Sequence, residues 1–130
     1  MPRCSRRARR GAGFAVTSLA LVALTACGGG GGGNGNVTKA AVNGAIDVNA
    51  YDIHFDVNTI TASPGKLTVH LHEKGQDPHT FTVRSENFEI KVDPGNRDAS
   101  GTLDLKAGSY KFICSTPGHA SVMHGTIEVA

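Results

Sequence analysis

From about residue 45 onward, apolar and polar positions alternate along the chain. Ile53, Phe55 and Val57 are interleaved with Asp52, His54 and Asp56. Leu67, Val69 and Leu71 are interleaved with Thr68, His70 and His72, and His79, Phe81 and Val83 with Thr80, Thr82 and Arg84. The spacing recurs at Phe88, Ile90 and Val92, at Leu103 and Leu105, at Tyr110, Phe112 and Cys114, and at Ile127 and Val129. A period of two over short runs predicts strands with one buried face. Turn formers separate the runs: Ser63-Pro64-Gly65, Glu73-Lys74-Gly75, Asp93-Pro94-Gly95 and Ala107-Gly108. About seven to eight short strands in this length predict an all-β fold, a Greek-key sandwich or barrel. No run of helical period has a useful length, and no internal repeat is present.

Parity also sorts the histidines. His79 shares its face with Phe81 and Val83 and is expected to point inward. Cys114 shares parity with Tyr110 and Phe112 and is expected inward at the end of its strand. His54, His70 and His72 share parity with polar residues and are expected outward.

The first 44 residues follow another logic. Residues 1–10 carry five Arg and no acid, and residues 14–26, FAVTSLALVALTA, are apolar and small. A basic head before a short apolar run is an export signal, too short to span a bilayer. Leu24-Thr25-Ala26-Cys27 resembles the lipobox of bacterial lipoproteins, which implies that Cys27 is lipidated and becomes the first mature residue. A plain secretory signal with a chance Cys is the alternative. Residues 28–36, GGGGGGNGN, read as a flexible tether with a root-mean-square reach of about 16 Å. The expected division is a signal at 1–26, a lipidated Cys and tether at 27–44, and a folded domain at 45–130.

Charge changes meaning once the signal is set aside. The full chain has a formal net charge of +2. Beyond residue 26 it holds 8 Lys and Arg against 11 Asp and Glu, or −3. A mildly acidic domain lacks the basic face that nucleic-acid binding needs, so nucleic acid is not an expected partner.

With Cys4 removed and Cys27 lipidated, Cys114 is the single thiol of the domain. It is a buried inert group, an intermolecular partner or a metal ligand. The residues after it favour the last. Cys114-Ser115-Thr116-Pro117-Gly118-His119-Ala120-Ser121-Val122-Met123 puts a thiolate, an imidazole and a thioether on one loop between strands. Pro117 and Gly118 let the loop turn back on itself. A second imidazole, inward-facing His79, arrives from another strand after Asp77-Pro78. Two His and one Cys in a plane with a weak axial Met is the donor set of a blue-copper electron-transfer site. Met123 alone would read as core filler. His124 is expected at the surface. His70 and His72, two apart on one exposed face, form either a weak surface metal site or a solvated pair.

CSTPGHASVMHGTI, with its Cys-x4-His-x3-Met spacing, resembles the ligand loop of cupredoxins, with azurin-type spacing. EKGQDPHTFTV resembles the segment that carries the first His ligand of that family. The resemblance spans residues 45–130. It implies a Greek-key β-sandwich with one type 1 copper, His79, Cys114 and His119 as the strong ligands, and Met123 as the axial one. The chain lacks a second Cys pair and a helical insertion, so it is nearer a minimal plastocyanin-size domain. Thr80 stands where Asn or Ser is common in the family, and its backbone N–H is expected to reach the Cys114 sulfur.

The expected function is one-electron transfer at the outer face of the cell membrane or in the periplasm. The expected partners are membrane or periplasmic redox proteins that dock near His119, with the membrane itself bound through Cys27. The domain is expected to be a monomer. Copper storage or delivery without redox cycling is the alternative, disfavoured by the presence of only two Met, one of them Met1. A thiol hydrolase would need a third residue to orient His119, and none is evident. Copper enzymes need a second copper centre, for which this length offers no ligands. The chain is expected not to be an enzyme.

Overall fold

A computed structural model describes residues 35–130. Ten strands form two sheets that face each other across one core. The strands are β1 (Thr38–Ala40), β2 (Ala45–Tyr51), β3 (His54–Phe55), β4 (Thr59–Ala62), β5 (Gly65–Glu73), β6 (His79–Val83), β7 (Phe88–Val92), β8 (Asp98–Leu105), β9 (Gly108–Ile113) and β10 (His124–Val129). A single 3-10 turn, Arg84–Glu86, joins β6 to β7.

One sheet has the order β1-β4-β10-β9-β6-β7 and the other β3-β2-β5-β8. Chain neighbours do not always pair. β4 lies parallel to both β1 and β10, and β2 lies parallel to β5, whereas β5 with β8 and β9 with β10 are antiparallel. Such crossed connections make a two-sheet sandwich. The all-β sandwich expected from the alternation is the observed fold. The excess over seven or eight strands comes from short pieces such as β1, β3 and β4.

Alternation produces the core directly. In β5, Leu67, Val69 and Leu71 are buried while Thr68, His70 and His72 are half-buried. Phe55, Phe81 and Phe112 meet in the centre, with Phe81 stacked on Phe112 at a centroid distance of 4.7 Å and Phe55 edge-on to Phe112 at 5.7 Å. The site lies over this aromatic cluster, because Phe81 and Phe112 are each two residues from a predicted ligand.

Three expectations change. Ile53 was expected inward with Phe55 and Val57, but it sits in the turn between β2 and β3 and is 63% exposed. Thr80 and Thr82 were expected on a polar outer face, yet all of β6 is buried. Their hydroxyls are satisfied by one another, Ser115 and Glu89, so burial leaves no orphaned group there. Finally, β1 falls inside the 27–44 segment assigned to the tether, and its residues Thr38, Lys39 and Ala40 pair with Thr59, Ile60 and Thr61.

Candidate metal centre

His79 opens β6, directly after Pro78, and is fully buried. Cys114 follows the last residue of β9 and is also fully buried. Between Cys114 and β10 the chain folds into a compact loop. Its ends are joined by the N–H of Cys114, which donates to the Met123 carbonyl at 2.9 Å. Inside it, the N–H of His119 donates to Thr116 O at 3.0 Å, and those of Val122 and Met123 donate to His119 O at 3.0 and 2.8 Å. Gly118 has φ +86°, the left-handed region that glycine enters without steric cost. That turn swings His119 back over Cys114.

The loop is anchored to β6 and to the residue before it by three further bonds. Thr116 Oγ1 donates to Pro78 O at 3.0 Å, Ser115 N–H donates to Thr80 Oγ1 at 2.7 Å, and Thr80 N–H donates to Cys114 Sγ at 3.4 Å. The last is the bond expected from the sequence. Thr80 Oγ1 also lies 3.0 Å from Thr82 Oγ1 and 2.9 Å from Ser115 Oγ. Both of those hydroxyls donate at 2.8 Å to Glu89 Oε2. The hydroxyls of Thr82 and Ser115 lower the Glu89 pKa, keeping it an acceptor.

These anchors bring three donors together. Nδ1 of His79 lies 3.8 Å from Cys114 Sγ, and Nδ1 of His119 lies 3.7 Å from it. All three ligand atoms fall within 4.8 Å of one another, and among the described residues no other such His, Cys, Asp and Glu group occurs. The spacing is a direct test of fit. Donors about 2.0 Å (N) and 2.3 Å (S) from a common ion, about 120° apart, are separated by about 3.7 Å. The two nitrogen–sulfur separations, 3.8 and 3.7 Å, match that spacing. Burial pushes the His79 pKa down, with the nearby Glu73 carboxylate opposing it, which favours the neutral ring that can ligate. Met123 is buried at the end of the same loop.

The other candidates fall elsewhere. Cys27 lies outside the described residues. His124 is exposed at the start of β10. His54 is exposed and stacks on Tyr51, with centroids 4.8 Å apart. His72 has both ring nitrogens engaged, Nδ1 with Asp98 at 2.6 Å and Nε2 with Asp47 at 2.9 Å. It clamps β5 to both neighbours rather than offering a free lone pair. Sequence reasoning missed Glu73, whose buried carboxylate faces His79, because Glu73-Lys74-Gly75 read as a turn. The signal was present: Glu73 continues the parity of Leu67, Val69 and Leu71.

Comparison with known proteins agrees with this geometry. The family model of the cupredoxin-like domain matches residues 15–129. No curated protein matches the chain by sequence. Among solved structures, auracyanin A, a "blue" copper protein from the green thermophilic photosynthetic bacterium Chloroflexus aurantiacus, is similar with a TM-score of 0.57 and 19% identity, covering 66% of this chain and 98% of its own. An azurin, Az-iso2, from the obligate methylotroph Methylomonas sp. strain J is similar with a TM-score of 0.56 and 17% identity, covering 68% of this chain and 99% of its own. At these identities the two structures establish the sandwich, and the family match together with the donor set indicates the metal. The chain therefore belongs to the cupredoxin-like family, as a copper-binding protein of electron-transfer type with a single type 1 copper site.

Proposed function

We propose that this protein is a one-electron carrier, exported and held by a lipid on Cys27 at the outer face of the cell membrane or in the periplasm, and not an enzyme. The observation that carries the reading is the convergence of His79 Nδ1 from β6 with Cys114 Sγ and His119 Nδ1 from a loop that is hydrogen-bonded to itself and to β6. Copper held there supplies a one-electron couple between its cupric and cuprous states. Sulfur suits the cuprous state and imidazole suits both, so neither state requires a new ligand. The amide of Thr80 stabilises charge on the thiolate, and burial of His79 and Cys114 excludes water from two of the three donors.

His119 gives the site its route outward. It is half-buried in a loop whose Pro117, Gly118, Ala120 and Val122 are exposed and carry no charge. Val122 is 57% exposed. A small uncharged rim around a ligand edge suits brief docking by membrane or periplasmic redox proteins. Export and lipidation are supported by the basic, apolar and Cys27 pattern at the N-terminus.

Voltammetry of the copper-loaded chain tests the reading. A carrier gives one reversible one-electron wave and retains its copper through repeated cycles in the presence of a cuprous chelator. Loss of the metal to the chelator on first reduction would instead support copper delivery.

A further inference from the structure

Glu73 is the last residue of β5, and the strand's alternation turns its side chain to the core side, where it is almost completely enclosed. Its Oε1 accepts the N–H of Gly75. Its Oε2 has no hydrogen-bond partner and lies 3.7 Å from Nε2 of His79, which has none either. Among the described residues these are the two buried side-chain polar atoms left without a partner, and they face each other. Orphaned buried polar atoms are costly, so their pairing calls for a reason.

The copper site supplies one. His79 turns Nδ1 to Cys114 Sγ, toward the position the ion fills. A neutral imidazole ligating through Nδ1 keeps its one proton on Nε2. That nitrogen lies 3.7 Å from Glu73 Oε2, a gap that a small shift of the ring would close. Both carboxyl oxygens then face N–H groups, those of Gly75 and His79. A carboxylate satisfies this arrangement, whereas a protonated acid would need an acceptor that neither neighbour offers. Metal-bound histidines are commonly oriented by a carboxylate on the far nitrogen.

We infer that Glu73 is a positioning residue of the copper centre, which accepts the Nε2 proton of His79, fixes the ring, and by its buried negative charge favours the cupric over the cuprous state. This rests on the redox-active copper proposed above. A structural role alone, holding the β5–β6 connection through Gly75, would leave the potential unmoved.

The test compares the full, copper-loaded chain with its Glu73→Gln variant. Glutamine keeps the volume and one acceptor oxygen but removes the charge. The intense thiolate-to-copper band should persist while the cuprous state gains at least tenfold, an upward shift of about 59 mV or more for a one-electron couple. Equal potentials with the band intact in both proteins would overturn the inference. The wild type offers a second reading that stands if the variant fails to fold. In the diamagnetic cuprous protein the His79 Nε2 proton should be a resolved, slowly exchanging NMR signal, and exchange at the rate of bulk solvent would overturn the inference. A wild type with no intense band would remove the copper reading itself, and this inference with it.

Discussion

The backbone N–H of Thr80 donates to the Sγ of Cys114 at 3.4 Å, although the two residues are 34 positions apart. Direction along the rest of the network follows by elimination. Thr82 and Ser115 spend their hydroxyl protons on Glu89, and Thr80 Oγ1 accepts the Ser115 N–H. The Thr80 hydroxyl must therefore donate to Thr82 or Ser115. A chain of hydroxyls running to a carboxylate is mutually polarised and rigid. It ties β6, β7 and the residue after Cys114 into one frame, and fixes the amide that faces the sulfur.

Thr80→Val deletes the centre of that chain while keeping the side-chain shape. Ser115 N–H loses its acceptor, and the variant should be less stable by about 1–3 kcal/mol in denaturant unfolding. The thiolate-to-copper band should shift in energy. Thr80→Ser, which retains the hydroxyl, should restore both properties most of the way.

The uncharged rim of His119 predicts fast electron exchange between two copies of the protein. Val122→Glu places a charge on that rim without replacing a ligand. Self-exchange, measured by NMR line broadening in mixed cupric and cuprous samples, should slow by about tenfold at low salt and recover as salt screens the repulsion. The visible spectrum should be unchanged.

His72 makes the stability of the second sheet depend on pH. Its hydrogen bonds to Asp47 on β2 and Asp98 on β8 raise its pKa above 6.5, and the bond to His72 lowers that of Asp47 below 3.8. A raised histidine pKa contributes stability in full below the unfolded value and loses it as pH rises through the folded value. A lowered carboxylate pKa contributes above its unfolded value and loses it as pH falls through the folded one. The clamp is thus strongest between about pH 4 and 6.5. Asp47 and Asp98 are mostly exposed, so the contribution is below about 1 kcal/mol. His79, whose pKa burial lowers, gives the apoprotein an opposite slope over the same range, so the clamp is read as a difference. In unfolding of the apoprotein, the stability advantage of the wild type over His72→Gln should shrink from pH 6 to 8.

Gly125 in β10 pairs with Phe112 of β9. A Cβ there would come within 2.3 Å of both Asn58 O and Phe112 Cζ. Phe112 is stacked on Phe81 and has nowhere to retreat. Gly125→Ala should cost about 1–3 kcal/mol or more in thermal unfolding, and should broaden the copper spectrum by displacing Phe112, two residues before Cys114.

Local patterns made most of the fold and the donor loop legible. The alternation through Leu67, Val69 and Leu71 fixes a buried face on any strand, and Cys114, His119 and Met123 lie within ten residues, so their convergence needs only a turn at Pro117-Gly118. What stayed hidden depends on contacts distant in sequence. β1 is a strand because β4 accepts it in parallel, a pairing that no local period announces. Thr80 and Thr82 look solvent-facing until Ser115 and Glu89 are brought over them. Ile53 follows the alternation but lies where the chain reverses between β2 and β3. Glu73 was hidden by its charge: its neighbours resemble a turn, and its parity has meaning only once His79 is known to sit beside it.

The most direct test of the central claim is a visible absorption spectrum of the cupric-loaded chain beside its Cys114→Ser variant. The account predicts an intense blue or green thiolate-to-copper band, bleached by reductant, restored by oxidant and absent from the variant. A colourless protein, or a weak band that survives Cys114→Ser, would contradict it.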